Sequence, residues 1–308
     1  MRWLFAAALA LSAGVPVRAA TVASCAGAEH WVRVGVNNFK PMALIRSQGV
    51  TSDGKGWIFS WQGGISRTND HFQTLLYNTF APKLFGHPEI SADGTNHIGP
   101  THIGDGDEYG GLFYAPEEDG NQSLGPISID DPEYQHPTVA LYNAKTLRFT
   151  GVSYELPTSI NGDGVPWVGI NHDTREVYDT EWGNPHNRIN VFDLQMRFKR
   201  FIDLQPDPSL GAGFRLNRIQ GAEVIGGALY AARDDADKTI YKVDLATGAV
   251  TKAFAISPPF PSELEGLAVR ATPDGALLHV LLVVHQVLPI IGEQPVGVQF
   301  LHYALRCS

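Results

Sequence analysis

From position 48 onward the chain alternates short apolar runs with pairs of turn residues, and the rhythm has a long period. A pair ending in glycine recurs at Gln48-Gly49, Ile103-Gly104, Val168-Gly169, Gln220-Gly221 and Glu265-Gly266. Within nine to thirteen residues of each glycine an apolar stretch carries Phe59, Tyr114, Tyr178, Tyr230 or His279. Tight-turn signals lie between glycine and ring: Asp53-Gly54, Gly110-Gly111, Gly226-Gly227 and Asp274-Gly275, with His172-Asp173-Thr174 in the third unit. Each unit therefore predicts strand, tight turn, strand.

A second hairpin follows. "ALYNAKTLRFTG", "NVFDLQMRFKRF" and "IYKVDLATGAVTKAF" align with Asn143, Asp193 and Asp244 in register, 50 and 51 residues apart, and the polar residue opens the turn in each. "GGISRTNDHFQTLLYN" is the same hairpin in the first unit. Two hairpins per unit give four short strands, and no stretch holds helical periodicity over a dozen residues. The pattern predicts an all-β chain folded as a β-propeller of five blades. The fifth unit supplies only three strands, near 264–271, 276–285 and 296–305. The run "HWVRVGV" at 30–36 fits as its missing outer strand, which closes the ring. Antiparallel pairing of that strand brings Cys25 beside Cys307.

Composition adds compartment and partners. The 308 residues are 44% hydrophobic and 18% charged, ample for one propeller domain over 21–308. Residues 1–20 read as a signal peptide: Arg2, an apolar run at 4–11, then small residues around "VRAA". That run is too short to span a bilayer, and nothing later approaches the roughly 20 apolar residues of a transmembrane helix. Cleavage removes Arg2 and Arg18 and no acid, taking the net charge from −9 to −11. An acidic, secreted or periplasmic product is a poor partner for nucleic acid or anionic membrane surfaces. The two cysteines suit one disulfide in an oxidising compartment. The alternative is a lipid anchor, because "VASC" ending at Cys25 is similar to a lipobox.

In a propeller the starts of the first strands, the ends of the second strands and the loops after them share one face. Those positions give Gln48, His102, Trp167, Glu181, Gln220, Arg233 and His285 as a ligand face for a small molecule or glycan. Two long connections, residues 119–137 and 287–295, fall on it, and long loops on a rigid scaffold commonly frame binding sites. The stretch "THIGDGDEYGGLFYAPEEDG" at 101–120 brings His102 and Asp105 to that face from one side, Glu117 and Glu118 from the other. It is not an EF-hand, since Tyr109 and Pro116 stand where ligands are required. Glu265 opens an apolar strand, where an acid is costly unless paired or metal-bound. His102 reads either as a base or as a satisfied channel histidine, Asp105 as a ligand or a turn cap, and Trp167 as a platform or as core. Nucleophile elbows, His-Glu-x-x-His, phosphate loops and Cys-x-x-Cys pairs are absent from the sequence.

The strand start Glu265-Gly266-Leu267, the blade rhythm and the leader together resemble the calcium-dependent gluconolactonase and arylesterase propellers. That resemblance implies a divalent metal at the channel bottom, held by acids and asparagines, with Glu265 matching a ligand and Asn171 on an inner strand. With Asp105 beside them, the oxygen set suits calcium better than zinc. The implied activity is metal-assisted hydrolysis of esters, lactones or phosphoesters, with His102 or Glu117 activating water. The family has six blades, which keeps six as the alternative count. Two other readings stand beside it: a non-catalytic propeller that binds a glycan or protein, and a polysaccharide lyase using His102 with Arg233.

Overall fold

The computed structural model describes residues 29–39, 45–79, 81, 102–118, 122–124, 127–129, 136–272, 275–288 and 292–307. They form five antiparallel sheets arranged as a β-propeller. Strand β1 (Glu29–Asn38) comes first in the chain and is used last. Blade one is β2 (Gly49–Ser52), β3 (Gly56–Trp61), β4 (Gly64–Asn69) and β5 (Thr74–Asn78), in that order from the inside. Blade two has a broken inner strand, β6 (His102–Ile103) and β7 (Asp107–Tyr109), both paired with β8 (Leu112–Glu118). A separate two-stranded ribbon, β9 (Gln122–Leu124) and β10 (Ile127–Ile129), precedes the outer strands β11 (Thr138–Asn143) and β12 (Phe149–Glu155). Blade three is β13 (Gly169–Asn171), β14 (Glu176–Asp179), β15 (Arg188–Asp193) and β16 (Phe198–Asp203). In blade four, a short β17 (Gln205–Pro206) lies parallel to the outermost of β18 (Ile219–Ile225), β19 (Ala228–Arg233), β20 (Thr239–Asp244) and β21 (Ala249–Ala255). Blade five is β22 (Ser262–Thr272), β23 (Gly275–Leu288) and β24 (Gly292–Cys307), completed by β1.

The closing strand pairs as its sequence predicts. Glu29 stands opposite Cys307 and Asn38 opposite Gln299, with one bulge between Arg33 and Gly35. Cys307 is disulfide-bonded; Cys25, the expected partner, lies outside the described residues.

Alternation along the second strands builds the core. Phe59 packs between blades five and one while its neighbour Ile58 packs between one and two. Phe113 and Tyr114, and Tyr230 and Ala231, divide themselves between adjacent interfaces in the same way. These strands are buried on both sides, so they read as nearly continuous apolar runs. The result is five hydrophobic clusters, one between each neighbouring pair of blades, including five against one. Five clusters closing on themselves make the ring.

The turn chemistry matches the register residues. The carboxyl or amide oxygens of Asn69, Asn143, Asp193 and Asp244 each accept two backbone N–H groups from the turn that follows, at 2.8 to 3.1 Å. One expected loop is replaced by strand. Of residues 287–295, the described ones are paired: β23 and β24 stay in register to Leu288 and Gly292, because the shift at Val284/His285 lets the ladder continue past Pro295. Within 119–137, the described part includes the ribbon β9–β10.

Candidate functional site

The middle of the ring is occupied by Asp105. Blade two's inner strand breaks at Gly104 to Gly106, and the break turns the carboxylate inward. Its Oδ1 accepts from the Val50 N–H of blade one at 2.7 Å, and its Oδ2 from the Leu267 N–H of blade five at 3.1 Å. Its backbone bonds Pro166 and Val168 on the way into blade three. The five repeat glycines explain themselves here. A Cβ on Gly49, Gly104, Gly169, Gly221 or Gly266 would come under 3.0 Å from neighbouring backbone or from Asp105 itself. They are the positions where inner strands and the Asp105 carboxylate crowd together. One turn of strand below, Asp107 accepts from Thr51 Oγ1 at 2.9 Å and from the Ile170 N–H at 2.9 Å, tying blade two to one and three.

Burial pushes Asp105 well above the ordinary carboxylate value, against the pull of its two backbone donors. Asp107 is raised by burial and eased by the charge of His172. Glu223 on β18 is raised well above its usual value by burial and by the charges of Asp107 and Asp105. Glu265 is raised for the same first reason, then by the charge of Glu263 and by a hydrogen bond with it. The centre is thus a group of desolvated carboxyls, each shifted toward its neutral form by burial.

On the loop-bearing end, His102 Nε2 bonds Gln48 Oε1, and its Nδ1 lies 3.3 Å from Glu118 Oε1. Glu118 Oε2 in turn accepts from the Val165 N–H at 2.7 Å. Arg233 donates to Asn217 at 2.9 Å and packs 5.2 Å from the Phe214 ring centroid. Arg218 and Lys238 neutralise Asp234 at 2.9 and 2.6 Å. Arg218 holds a left-handed backbone, φ 53°, uncommon for a long side chain, and is pinned by backbone bonds to Trp182 and Asp234. Its guanidinium sits over the Trp182 ring. His285 Nε2 stands 3.7 Å from Glu263. Gln48, His102, Glu181, Gln220, Arg233 and His285 are all half-buried.

Several expected residues sit elsewhere. Trp167 belongs to the core between blades three and four, fully buried with its Nε1 donating to Thr180 at 3.0 Å, because side-chain alternation turns it away from the rim. Glu117 is fully buried and accepts the Tyr142 hydroxyl at 2.5 Å, so it ties β8 to β11 instead of facing solvent. Asn171 ends its inner strand at the opposite end of the ring from the Glu265 end of β22, and its Oδ1 caps the turn at Asp173 and Thr174. Asp105 and Glu265 do come together, but both Asp105 oxygens already accept backbone N–H groups. Among the described residues no three His, Cys, Asp or Glu side chains converge as metal ligands. Glu265, Asp105 and Asn171 therefore do not fit a calcium ion as a set.

Sequence reasoning missed Glu263, Arg218 and Asp179. Asp179 is fully buried at the end of β14 and is pushed up to about 7, by burial first, against hydrogen bonds from Asn190 and Asn161. The signal was present: an acid ending the apolar strand "EVYD".

No family model matches the chain, and no curated protein sequence matches it. Among solved structures it is similar to a chain of a nidogen/laminin complex, at 14% identity over 74% of this chain and 69% of that one, TM-score 0.41. It is similar to the GH43 protein BlXynB of Bacillus licheniformis at 12% identity, over 90% of this chain and 54% of that one, TM-score 0.47. The Pan2 WD40 domain of Neurospora crassa matches at 9% over 80% and 72%, TM-score 0.37. None of the described helices is long and apolar enough to cross a membrane.

Proposed function

We propose that this is an exported, non-catalytic propeller that binds a glycan on its loop-bearing face. The observation that carries the reading is the plugged centre beneath a half-buried polar rim. Asp105 is spent on holding blades together, so a ligand reaches the rim and goes no deeper. Around it stand donors and acceptors already held in place: Gln48–His102–Glu118, Arg218–Asp234–Lys238 and Glu263–His285. Preorganised polar groups of both signs, with Trp182 beside them, suit neutral hydroxyls better than a single charge.

The test is a glycan array with the purified protein, run beside an ester, lactone and phosphoester panel supplemented with calcium. Trp182→Ala should weaken glycan binding about ten-fold, the roughly 1.4 kcal/mol of one lost good contact, and leave the melting temperature unchanged. Arg218→Ala should weaken it as much and also lower the melting temperature, since the buried Asp234 then loses one ion pair and keeps that of Lys238. Turnover of any panel substrate that disappears in His102→Ala would overturn the reading in favour of a hydrolase.

A further inference from the structure

Blade three carries a second cluster of oxygens that borders the rim but is not among the polar groups on which the binding reading rests. Asp179 Oδ1 accepts from Asn190 Nδ2 at 2.7 Å and from Asn161 Nδ2 at 3.2 Å. Its other oxygen, Oδ2, is buried and accepts nothing; the same holds for Asn161 Oδ1. Both residues are fully buried. Glu181 stands beside them: its Oε2 is 3.8 Å from where a Cβ on Gly162 would be, and its charge acts on Asp179.

The loop that brings Asn161 in is fixed at both ends. Its Asn161 N–H bonds the Pro157 carbonyl at 2.9 Å, and Val165 is tied to Glu118 at 2.7 Å. Asp163 accepts from the Gly183 N–H at 2.8 Å and, through its carbonyl, from Trp182 at 3.2 Å. The contrast with blade four is instructive. Asp234, near the corresponding end of that blade's second strand, is answered by Arg218, Lys238 and the Leu264 N–H. Asp179 has amides and another carboxylate.

We propose that Asp179, Glu181 and Asn161 form a binding site for a hard divalent cation, calcium in preference to magnesium. The donors are all oxygen, two carboxylates and an amide, with the Gly164 carbonyl 3.4 Å from the Asn161 amide. Such a set, completed by water, is what calcium takes at six to eight ligands, whereas magnesium demands a tighter octahedron. A water molecule could serve the two orphan oxygens, but a cation would in addition favour the ionised form of Asp179 beside Glu181. The site is distinct from Glu265 and Asp105, and it does not depend on the glycan reading.

The experiment uses the full disulfide-bonded protein, stripped with chelator and dialysed, with calorimetric titration and thermal unfolding in calcium chloride and in magnesium chloride. One calcium per chain is expected, with a rise of about 5 °C in melting temperature at a hundred-fold excess over Kd. Asp179→Asn and Glu181→Gln should each weaken calcium at least ten-fold; Glu181 is not in the core, so its variant tests the site even where Asp179→Asn folds poorly. No heat and no shift with calcium would overturn the proposal. So would a calcium response retained in Glu181→Gln, or one abolished by Glu265→Gln instead.

Discussion

At the scale of single residues, Asp105 is held by backbone N–H groups of two other blades. Asparagine there could offer one oxygen but would set an NH2 against a backbone N–H of Val50 or Leu267. Asp105→Asn should therefore cost roughly 1–3 kcal/mol, the penalty for an unsatisfied buried donor, measured by urea unfolding. Glu223 makes the opposite case. Its folded pKa is raised, so its contribution is fully present below the ordinary value of 4.5 and is lost as pH rises through the raised one. Glu223→Gln should leave stability near pH 4 unchanged and raise it at pH 8, because it removes the buried charge that Asp107 and Asp105 oppose. Part of this was legible in the sequence. An acid opening the apolar strand at Glu265 called for a compensating partner, but the neighbour it meets is a second acid, Glu263, and Glu265 Oε2 is buried without a hydrogen bond. That Asp105 points inward was not legible, because the interruption of β6 and β7 depends on the glycines of other blades.

At the scale of elements, local chemistry wrote most of the fold. Asn143, Asp193 and Asp244 open their turns as their spacing predicts, and Asn143→Ala should cost about 1 kcal/mol, as for the loss of an analogous helix cap. The sequence predicts a loop at 287–295 because Pro295 signals a break, whereas the register shift beside it lets β23 and β24 stay paired to Leu288 and Gly292. The expected loop at 119–137 keeps a testable role. Replacing residues 122–129 by a short glycine-serine linker should leave the melting temperature within about 2 °C, as for surface changes, while altering glycan binding. Loss of folding would make the ribbon part of the core.

At the scale of the whole molecule, closure by β1 is the feature most exposed to conditions. His302 Nε2 bonds Asn37 of β1 at 2.6 Å, and its Nδ1 lies 2.6 Å from His279 Nδ1, which packs against Trp57 and Phe300 near Arg270. Burial lowers both imidazoles below their ordinary 6.5. A lowered histidine keeps its full contribution above 6.5 and loses it as pH falls toward the folded value, the reverse of Glu223. Protection of the β1 amides, corrected for intrinsic exchange, should fall as pH drops below about 6.5, and His302→Asn should flatten that dependence. A Cys25–Cys307 bond would latch the same strand. Cys307→Ser should lower stability by up to about 5 kcal/mol in the chain-entropy limit, and lipidated Cys25 on mass spectrometry would rule the latch out.

The glycan reading rests on one face of the ring, so the most direct measurement is hydrogen–deuterium exchange with and without the tightest glycan from the array. Protection is expected around residues 161–165, 180–184, 217–220 and 262–265, beside the Gln48–His102 pair. Protection confined to the opposite turns, at 53–56, 110–111, 172–175 and 226–227, or to the outer strands, would contradict it.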